Sequence, residues 1–314
     1  MTSRFEKKKT PEGFRCGWVS IIGRPNVGKS TLLNTIVGEK VAIVSKIPQT
    51  TRNNIRGIYN DERGQIIFID TPGLVTGKDR LDRLLKESSW RSTGDVDCII
   101  HLVDAQERVG REEEEIVRRL QKVRIPVILG LNKIDQKAKY INEYISLWER
   151  VSNKPVAQME SFILLPLSAR KEINTEKLVD LIFEYLPLGP ALYPPEIVCD
   201  IPQKMVIADI IREKLLGVMR DEVPHSIAVV VDSIQPKKKK TTHIKAVILI
   251  ERDSQKEIVI GKDGRVLKQI GTLARLELED LLGGKVFLET FVKTKKNWRD
   301  NLSLLQELGY DQKA

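Results

Sequence analysis

Compact apolar runs alternate with charged stretches of helical period along the first 187 residues. Gly17–Ile22, Gln65–Ile69, Cys98–Val103, Pro126–Leu131 and Phe162–Leu167 are largely apolar, as expected of strands covered on both faces. The stretches between them predict helices from Gly28 to near Gly38, over Lys78–Ser92, over Glu112–Val123, over Tyr140–Asn153 and over Thr175–Leu186. Gly38 supplies a stop for the first. Glu112–Glu115 puts carboxylates in the first turn of another, where the helix dipole favours them. Arg56–Asn60 reads as a further short strand, followed by a turn at Asp61–Gly64. Val41–Arg56 keeps no period and reads as a mobile loop. Strands alternating with helices through short connections predict an α/β domain with a mostly parallel sheet covered on both faces.

At Pro187-Leu-Gly-Pro190-Ala-Leu-Tyr-Pro194-Pro195 the alternation stops. Beyond it, Lys204–Met219 places Ile207, Ile210, Ile211, Leu215 and Val218 on one helical face. Ser226–Ile234 and Thr242–Arg252 are rich in β-formers and are separated by Lys237–Lys240. A strand-like apolar run then enters Gly261-Lys262-Asp263-Gly264-Arg265, which opens a helix to about Leu282. Lys285–Lys293 is a last strand. The expected division is a flexible lead over 1–16, the α/β domain over 17–187, a linker over 188–200 and a smaller α+β domain over 201–314 with a basic tail.

With 314 residues, 41% hydrophobic and 30% charged, the chain has enough material for about two globular domains. Its net charge of +9 is spread over both halves: residues 201–314 carry 21 Lys and Arg against 16 Asp and Glu. Such a balance points to a polyanionic partner, either nucleic acid or an acidic membrane surface. No apolar run approaches the ~20 residues of a membrane span. The charged N-terminus lacks an export-signal core, so the cytoplasm is the expected location. Cys16, Cys98 and Cys199 are too scattered for a disulfide framework or a metal cluster, and Cys98 reads as core. His101, His225 and His243 form no ligand set.

The chemistry is carried by loops that follow strands. Gly23-Arg24-Pro25-Asn26-Val27-Gly28-Lys29-Ser30, between an apolar run and a helix, is a G-x-x-x-x-G-K-S phosphate loop in the required setting. Its backbone N–H groups and the helix dipole form an anion nest. Lys29 offers a charge to the outer phosphates, and Ser30 a hydroxyl to Mg²⁺. Asp70-Thr71-Pro72-Gly73 can close over a γ-phosphate, with Asp70 reaching Mg²⁺ through water and the Gly73 N–H meeting a phosphate oxygen. Asn132-Lys133-Ile134-Asp135 selects the base. A carboxylate only accepts hydrogen bonds, so Asp135 suits the two donors of guanine's edge, which adenine lacks there. Asn132 can bind the base and tie this loop to the phosphate loop, while the Lys133 stem covers the ring. Ser168-Ala169 would turn a backbone N–H toward guanine O6. In the second domain, Gly261 and Gly264 permit close backbone approach, Lys262 and Arg265 suit phosphates, and Ile260, Val266 and Ile270 suit an apolar groove. Lys293–Arg299, with Trp298, could add phosphate contact or stacking, the alternative being a buried Trp298.

Together, Gly-Arg-Pro-Asn-Val-Gly-Lys-Ser, Pro-Gln-Thr-Thr-Arg, Asp-Thr-Pro-Gly, Asn-Lys-Ile-Asp and Val-Ile-Gly-Lys-Asp-Gly resemble the Era-like family of translation-factor-class GTPases across nearly the whole chain. The resemblance implies a P-loop GTPase domain followed by a type II KH domain. That fold's G-x-x-G loop clamps about four nucleotides of a single strand. It further implies a switch I segment around Gln49, Thr50, Thr51, Arg52 and Asn53, with Thr51 the second Mg²⁺ hydroxyl and Thr50 the alternative. Switch II would span Asp70, Thr71, Pro72, Gly73 and Leu74. Leu74 stands where Ras-like proteins carry the glutamine that orients water, so intrinsic hydrolysis should be slow. Asn26 is a candidate K⁺ ligand beside the phosphates. The implied RNA contacts are Ile260, Gly261, Lys262, Asp263, Gly264 and Arg265. The implied partners are small-subunit (16S-type) ribosomal RNA near its 3′ end and the small ribosomal subunit, with peripheral contact to the inner membrane surface. No obligate protein partner follows from the sequence. Two other readings compete: a membrane-associated signalling GTPase and a tRNA-modification-type GTPase. The latter would need a catalytic domain that 201–314 does not offer.

Overall fold

The computed structural model describes residues 12–45, 47, 50–74, 79–219, 226–237 and 241–310. Two compact units are present, and they do not follow chain order. The first comprises Met1–Ala42, Asn54–Thr71 and Trp90–Asp200; the second, Ile43–Asn53, Pro72–Ser89 and Ile201–Ala314.

The first unit is built on β1 (Arg15–Ile22), β2 (Ile55–Asp61), β3 (Gly64–Asp70), β4 (Cys98–Asp104), β5 (Val127–Asn132) and β6 (Phe162–Pro166). They form one sheet in the order β2-β3-β1-β4-β5-β6, parallel except for the β2–β3 hairpin. The helices are α1 (Lys29–Val37), α3 (Arg111–Leu120), α4 (Ile141–Ser152) and α5 (Thr175–Tyr185), with α2 (Arg80–Arg91) crossing into the second unit. The central strands are buried on both faces: Val19, Ile21, Ile99, Leu102, Leu129 and Leu131 are inaccessible. Cys98 is core, and burial pushes its thiol up to about 12. Helix α1 stops where Gly38 turns to φ 80°.

The 188–200 stretch is strapped to this unit. Gln65, wholly buried on β3, accepts from the N–H groups of Leu192 (2.8 Å) and Tyr193 (2.9 Å) and donates to the Tyr193 carbonyl. Ile58 N–H reaches the Val198 carbonyl, and Arg56 pairs with Asp200.

In the second unit, α6 (Gln203–Val218) precedes β7 (Ala228–Lys237) and β8 (Thr241–Ile250). Then come α7 (Asp253–Ile260), α8 (Arg265–Leu282), β9 (Lys285–Thr294) and α9 (Leu302–Glu307). The sheet runs β7-β8-β9, antiparallel then parallel, with α7 and α8 as the crossover. On one face Ile207, Ile210, Ile211 and Leu215 of α6 pack with Ile270, Ala274 and Leu278 of α8 over Ile244, Ala246 and Ile248. The strand-like run before Gly261 is corrected to a helix. Gln255 Oε1 accepts from the backbone N–H groups of Glu251 and Arg252 (3.0 Å each), Asp253 sits in the first turn, and Val259 is buried in the core. Among the described residues no helix is long and apolar enough to cross a membrane.

Candidate functional site

The end of β1 turns into a loop whose glycines are required by space as well as by backbone angle. Gly23 has φ 155°, and a Cβ there would lie 2.2 Å from the Leu102 carbonyl. Gly28 has φ 104°, and its Cβ would meet the Asn132 amide at 2.4 Å. Between them Asn26 is left-handed at φ 63°. Lys29, the first residue of α1, folds back under the loop and donates to the carbonyls of Gly23 (3.1 Å) and Arg24 (2.9 Å). Burial lowers its pKa to about 8 against the opposing pull of Asp70 and Glu113. Ser30 donates to Asp70 Oδ2 at 2.6 Å, and Asp70 ends β3 fully buried. A hydroxyl and a carboxylate held side by side, with only oxygen donors, suit a hard cation such as Mg²⁺. Thr71 donates to the Ile21 carbonyl (2.8 Å), fastening the end of β3 to β1.

At the far end of the sheet, Asn132 is a buried clasp. Its Nδ2 donates to the Val27 carbonyl (2.7 Å), and its Oδ1 accepts from Ala169 N–H (2.9 Å). The Lys133 ammonium spans the Asn26 carbonyl (2.9 Å) and Asp104 (2.5 Å). Asp135 is exposed and accepts from Ser168 Oγ (2.6 Å), leaving carboxylate capacity for further donors. The Ala169 N–H, one of those that Ser168-Ala169 offers, donates to Asn132. The Arg24 side chain lies among Glu107 (3.7 Å), Glu112 (3.5 Å) and Glu113 (4.0 Å), so that Arg24 joins the phosphate loop by its backbone.

The G-x-x-G loop of the second unit links α7 to α8. Gly261 and Gly264 both have φ 72°, and Asp263 has φ 54°. A Cβ on Gly261 would lie 2.4 Å from the Val266 side chain. Lys262, Asp263 and Arg265 are exposed and Ile260 is half-buried. Ile270, proposed for the apolar groove, is fully buried core, and Val266 packs against that core.

Comparison with known proteins follows the same two parts. The model of the family described as 50S ribosome-binding GTPase matches residues 18–133, and that of the KH domain matches residues 222–299. The GTPase Era of Halothermothrix orenii is 43% identical over 297 residues, covering 95% of this chain and 99% of that protein. The chain belongs to the Era family of GTPases. Two solved structures agree over 95% of this chain and 100% of theirs, each with a TM-score of 0.88 and 38% identity. One is an Era variant of Aquifex aeolicus bound to GDP·AlF4⁻; the other is Era with MgGDPNP and nucleotides 1506–1542 of 16S ribosomal RNA.

In this Era-family chain Ile43–Asn53 and Pro72–Ser89 count with the second unit, while Asp70 and Thr71 stay with the first. Thr50, Thr51 and Arg52 are buried rather than spread through a solvent loop. The Thr50 hydroxyl donates to the Ile47 carbonyl (2.6 Å), and its own carbonyl accepts from the buried Arg212. Arg52 inserts between the rings of Trp298 (5.6 Å) and Tyr310 (5.9 Å) and donates to the Ile227 carbonyl at 2.7 Å. Leu74 is buried too, and Ser89 donates to the Pro72 carbonyl (2.8 Å). Leu81 and Leu85 of α2 join Trp298, Leu305, Leu308 and Tyr310 in a cluster on the sheet's second face. Arg299 pairs with Asp79 (2.6 Å) and Asp82 (3.2 Å). Trp298 is therefore a core residue, its indole N–H donating to the Ser226 carbonyl, and not a stacking surface. Gln49 and Lys238–Lys240 lie outside the described residues. Sequence reading missed the buried His101–Glu113 pair (2.7 Å) beside Arg24. Its members belong to different elements, and no spacing links them.

Proposed function

We propose that this chain is a GTP-driven switch that binds small-subunit ribosomal RNA near its 3′ end and assists assembly of the small ribosomal subunit in the cytoplasm. One observation carries the reading. A phosphate loop clasped to a guanine-type Asp loop and an exposed G-x-x-G loop occur on one chain, which matches over 95% of its length an Era bound to 16S nucleotides. In this reading the phosphate loop N–H groups and Lys29 hold the polyphosphate. Ser30, Asp70 and Thr51 hold Mg²⁺, which when bound neutralises charge on the outer phosphates. The Gly73 N–H meets a γ-phosphate oxygen, and Asp135 accepts from guanine with Asn132 and Lys133 shaping the pocket. Leu74 has no group to orient water, so hydrolysis is slow. Asn26 helps hold a K⁺ whose charge stabilises the negative charge on the phosphates; equal turnover in Na⁺ and K⁺ would remove that role. In the KH domain Lys262 and Arg265 neutralise phosphates beside the two glycines.

The test is RNA binding by the full chain with a GTP analogue, with GDP and without nucleotide. It uses a 16S 3′-end oligonucleotide and a scrambled control over a range of salt. Selective binding, tightened by the analogue and lost in a Gly261→Asp/Gly264→Asp variant, is expected. Equal, salt-erased binding of both oligonucleotides would overturn the ribosomal reading, and binding to acidic vesicles would then favour peripheral attachment to the membrane.

A further inference from the structure

The second face of the three-stranded sheet is covered over only part of its width. Trp298, Leu305, Leu308 and Tyr310 lie over Ala228, Val247 and Leu249. On β9, the edge strand, Phe287 and Phe291 remain 55% and 51% exposed. Four residues apart on a strand, they share a face at about 13 Å. Lys285 and Lys293 continue that face at the two-residue period on either side, and both are exposed. On the neighbouring strand Lys245, also exposed, stands opposite Glu289. Glu289 is the sole carboxylate of β8 and β9, and it is occupied by His243 (2.9 Å) and Lys245 (3.7 Å). His243 also meets Phe287 edge-on at 4.9 Å and holds the ring in place.

We propose that this lysine–phenylalanine–phenylalanine–lysine stripe is a second platform for single-stranded RNA. Bases stack on Phe287 and Phe291, and Lys245, Lys285 and Lys293 take the flanking phosphates. The inference rests on the RNA-binding reading above and extends it. A G-x-x-G loop holds only about four nucleotides, so a longer strand has bases left for another surface. Two rings flanked by Lys285 and Lys293, with the Glu289 between them held by His243 and Lys245, match a polyanion with π-faces. An apolar protein partner would favour a continuous greasy patch without flanking lysines.

The experiment uses the full chain with Mg²⁺ and a GTP analogue. It compares a 16S 3′-end strand with windows of that strand about four nucleotides long. In a Phe287→Ala/Phe291→Ala variant the long strand should bind about tenfold weaker or worse, with the short windows unchanged. A Phe287→Tyr/Phe291→Trp variant should restore the long strand. Thiouridine placed outside the four-nucleotide core should crosslink to β9. The proposal is overturned if the double alanine variant binds the long strand as the parent does, or loses long and short alike. It is also overturned if the parent is a dimer that the alanines dissociate, since the occupant is then a second copy. Failure of the RNA reading itself has a different signature: the parent then shows no selective binding of either length and no response to Gly261→Asp/Gly264→Asp.

Discussion

Lys29 makes the phosphate site sensitive to pH in a direction that can be worked out. Its ammonium is buried against the Gly23 and Arg24 carbonyls, and burial moves its pKa from 10.5 to about 8. Phosphates in the loop bring opposite charge and return it toward the ordinary lysine range. Nucleotide binding and protonation are then linked. Without nucleotide, about nine-tenths of Lys29 is protonated at pH 7 and about a quarter at pH 8.5. Affinity for GTP or GDP should therefore fall about fourfold between those pH values, with uptake of about three-quarters of a proton per binding event at pH 8.5. Titration calorimetry in buffers of different ionisation enthalpy reads both quantities, and Lys29→Gln should abolish the slope together with most of the affinity. Folding stability without nucleotide should move the other way. The folded pKa lies below the unfolded one, so the unfolded chain holds more protons between about pH 8 and 10.5. Stability contributed by Lys29 rises across that window and is lost as pH falls through about 8. A Lys29→Gln variant with the parent's slope, or parent binding without proton uptake, would refute the linkage.

Three further outcomes follow from buried contacts. Arg52→Ala removes two ring contacts and a charged hydrogen bond to the Ile227 carbonyl; it should cost the second unit about 4 kcal/mol in urea unfolding. Arg52→Met fills the space without burying a charge and should cost clearly less; amide exchange in Leu302–Glu307 will report both. Gln65→Leu strands the N–H groups of Leu192 and Tyr193; it should lower stability by about 1–3 kcal/mol and release 188–200 to rapid exchange. Asn132→Ala leaves the Val27 carbonyl and the Ala169 N–H without their clasp. It should weaken guanine-nucleotide binding and lower the melting temperature, and nucleotide affinity equal to the parent's would count against the clasp.

The nucleotide motifs were legible because each is local. Gly23 to Ser30 lie in one turn, and Asn132 to Asp135 in another. Both sit at strand ends that an α/β pattern already aligns. The strand assigned before Gly261 failed for a local reason too. Val259 and Ile260 are β-branched, but Gln255 caps the N–H groups of Glu251 and Arg252 where Asp253–Ile260 begins as a helix, and Val259 is its one buried residue. The other corrections came from distance along the chain. The acidic surroundings of the Arg24 side chain could not be read, because the start of α3 is brought beside it only by the fold. Trp298 reads as a stacking residue until Ser226 and Arg52 meet it from 72 and 246 positions away.

The stretch with least pattern, Val41–Arg56, is the most informative failure. A segment without hydrophobic period is ordinarily a solvent loop. Here Thr50, Thr51 and Arg52 are buried because their partners belong to α6 and to the chain's last residues. Burying a guanidinium is costly, and among the described residues two are buried, Arg52 and Arg212, each engaged by carbonyls, a carboxylate or rings. An apolar loop would bury itself whatever its surroundings. A loop held through arginines is stable only while every partner stays in place, and Arg52 depends at once on Trp298, Tyr310 and the Ile227 carbonyl. The missing period thus marks a segment whose order is supplied by the second unit rather than by its own sequence. Disturbance of Trp298 or Tyr310 should therefore reach Arg52 and its neighbour Thr51 as well as the sheet those rings cover.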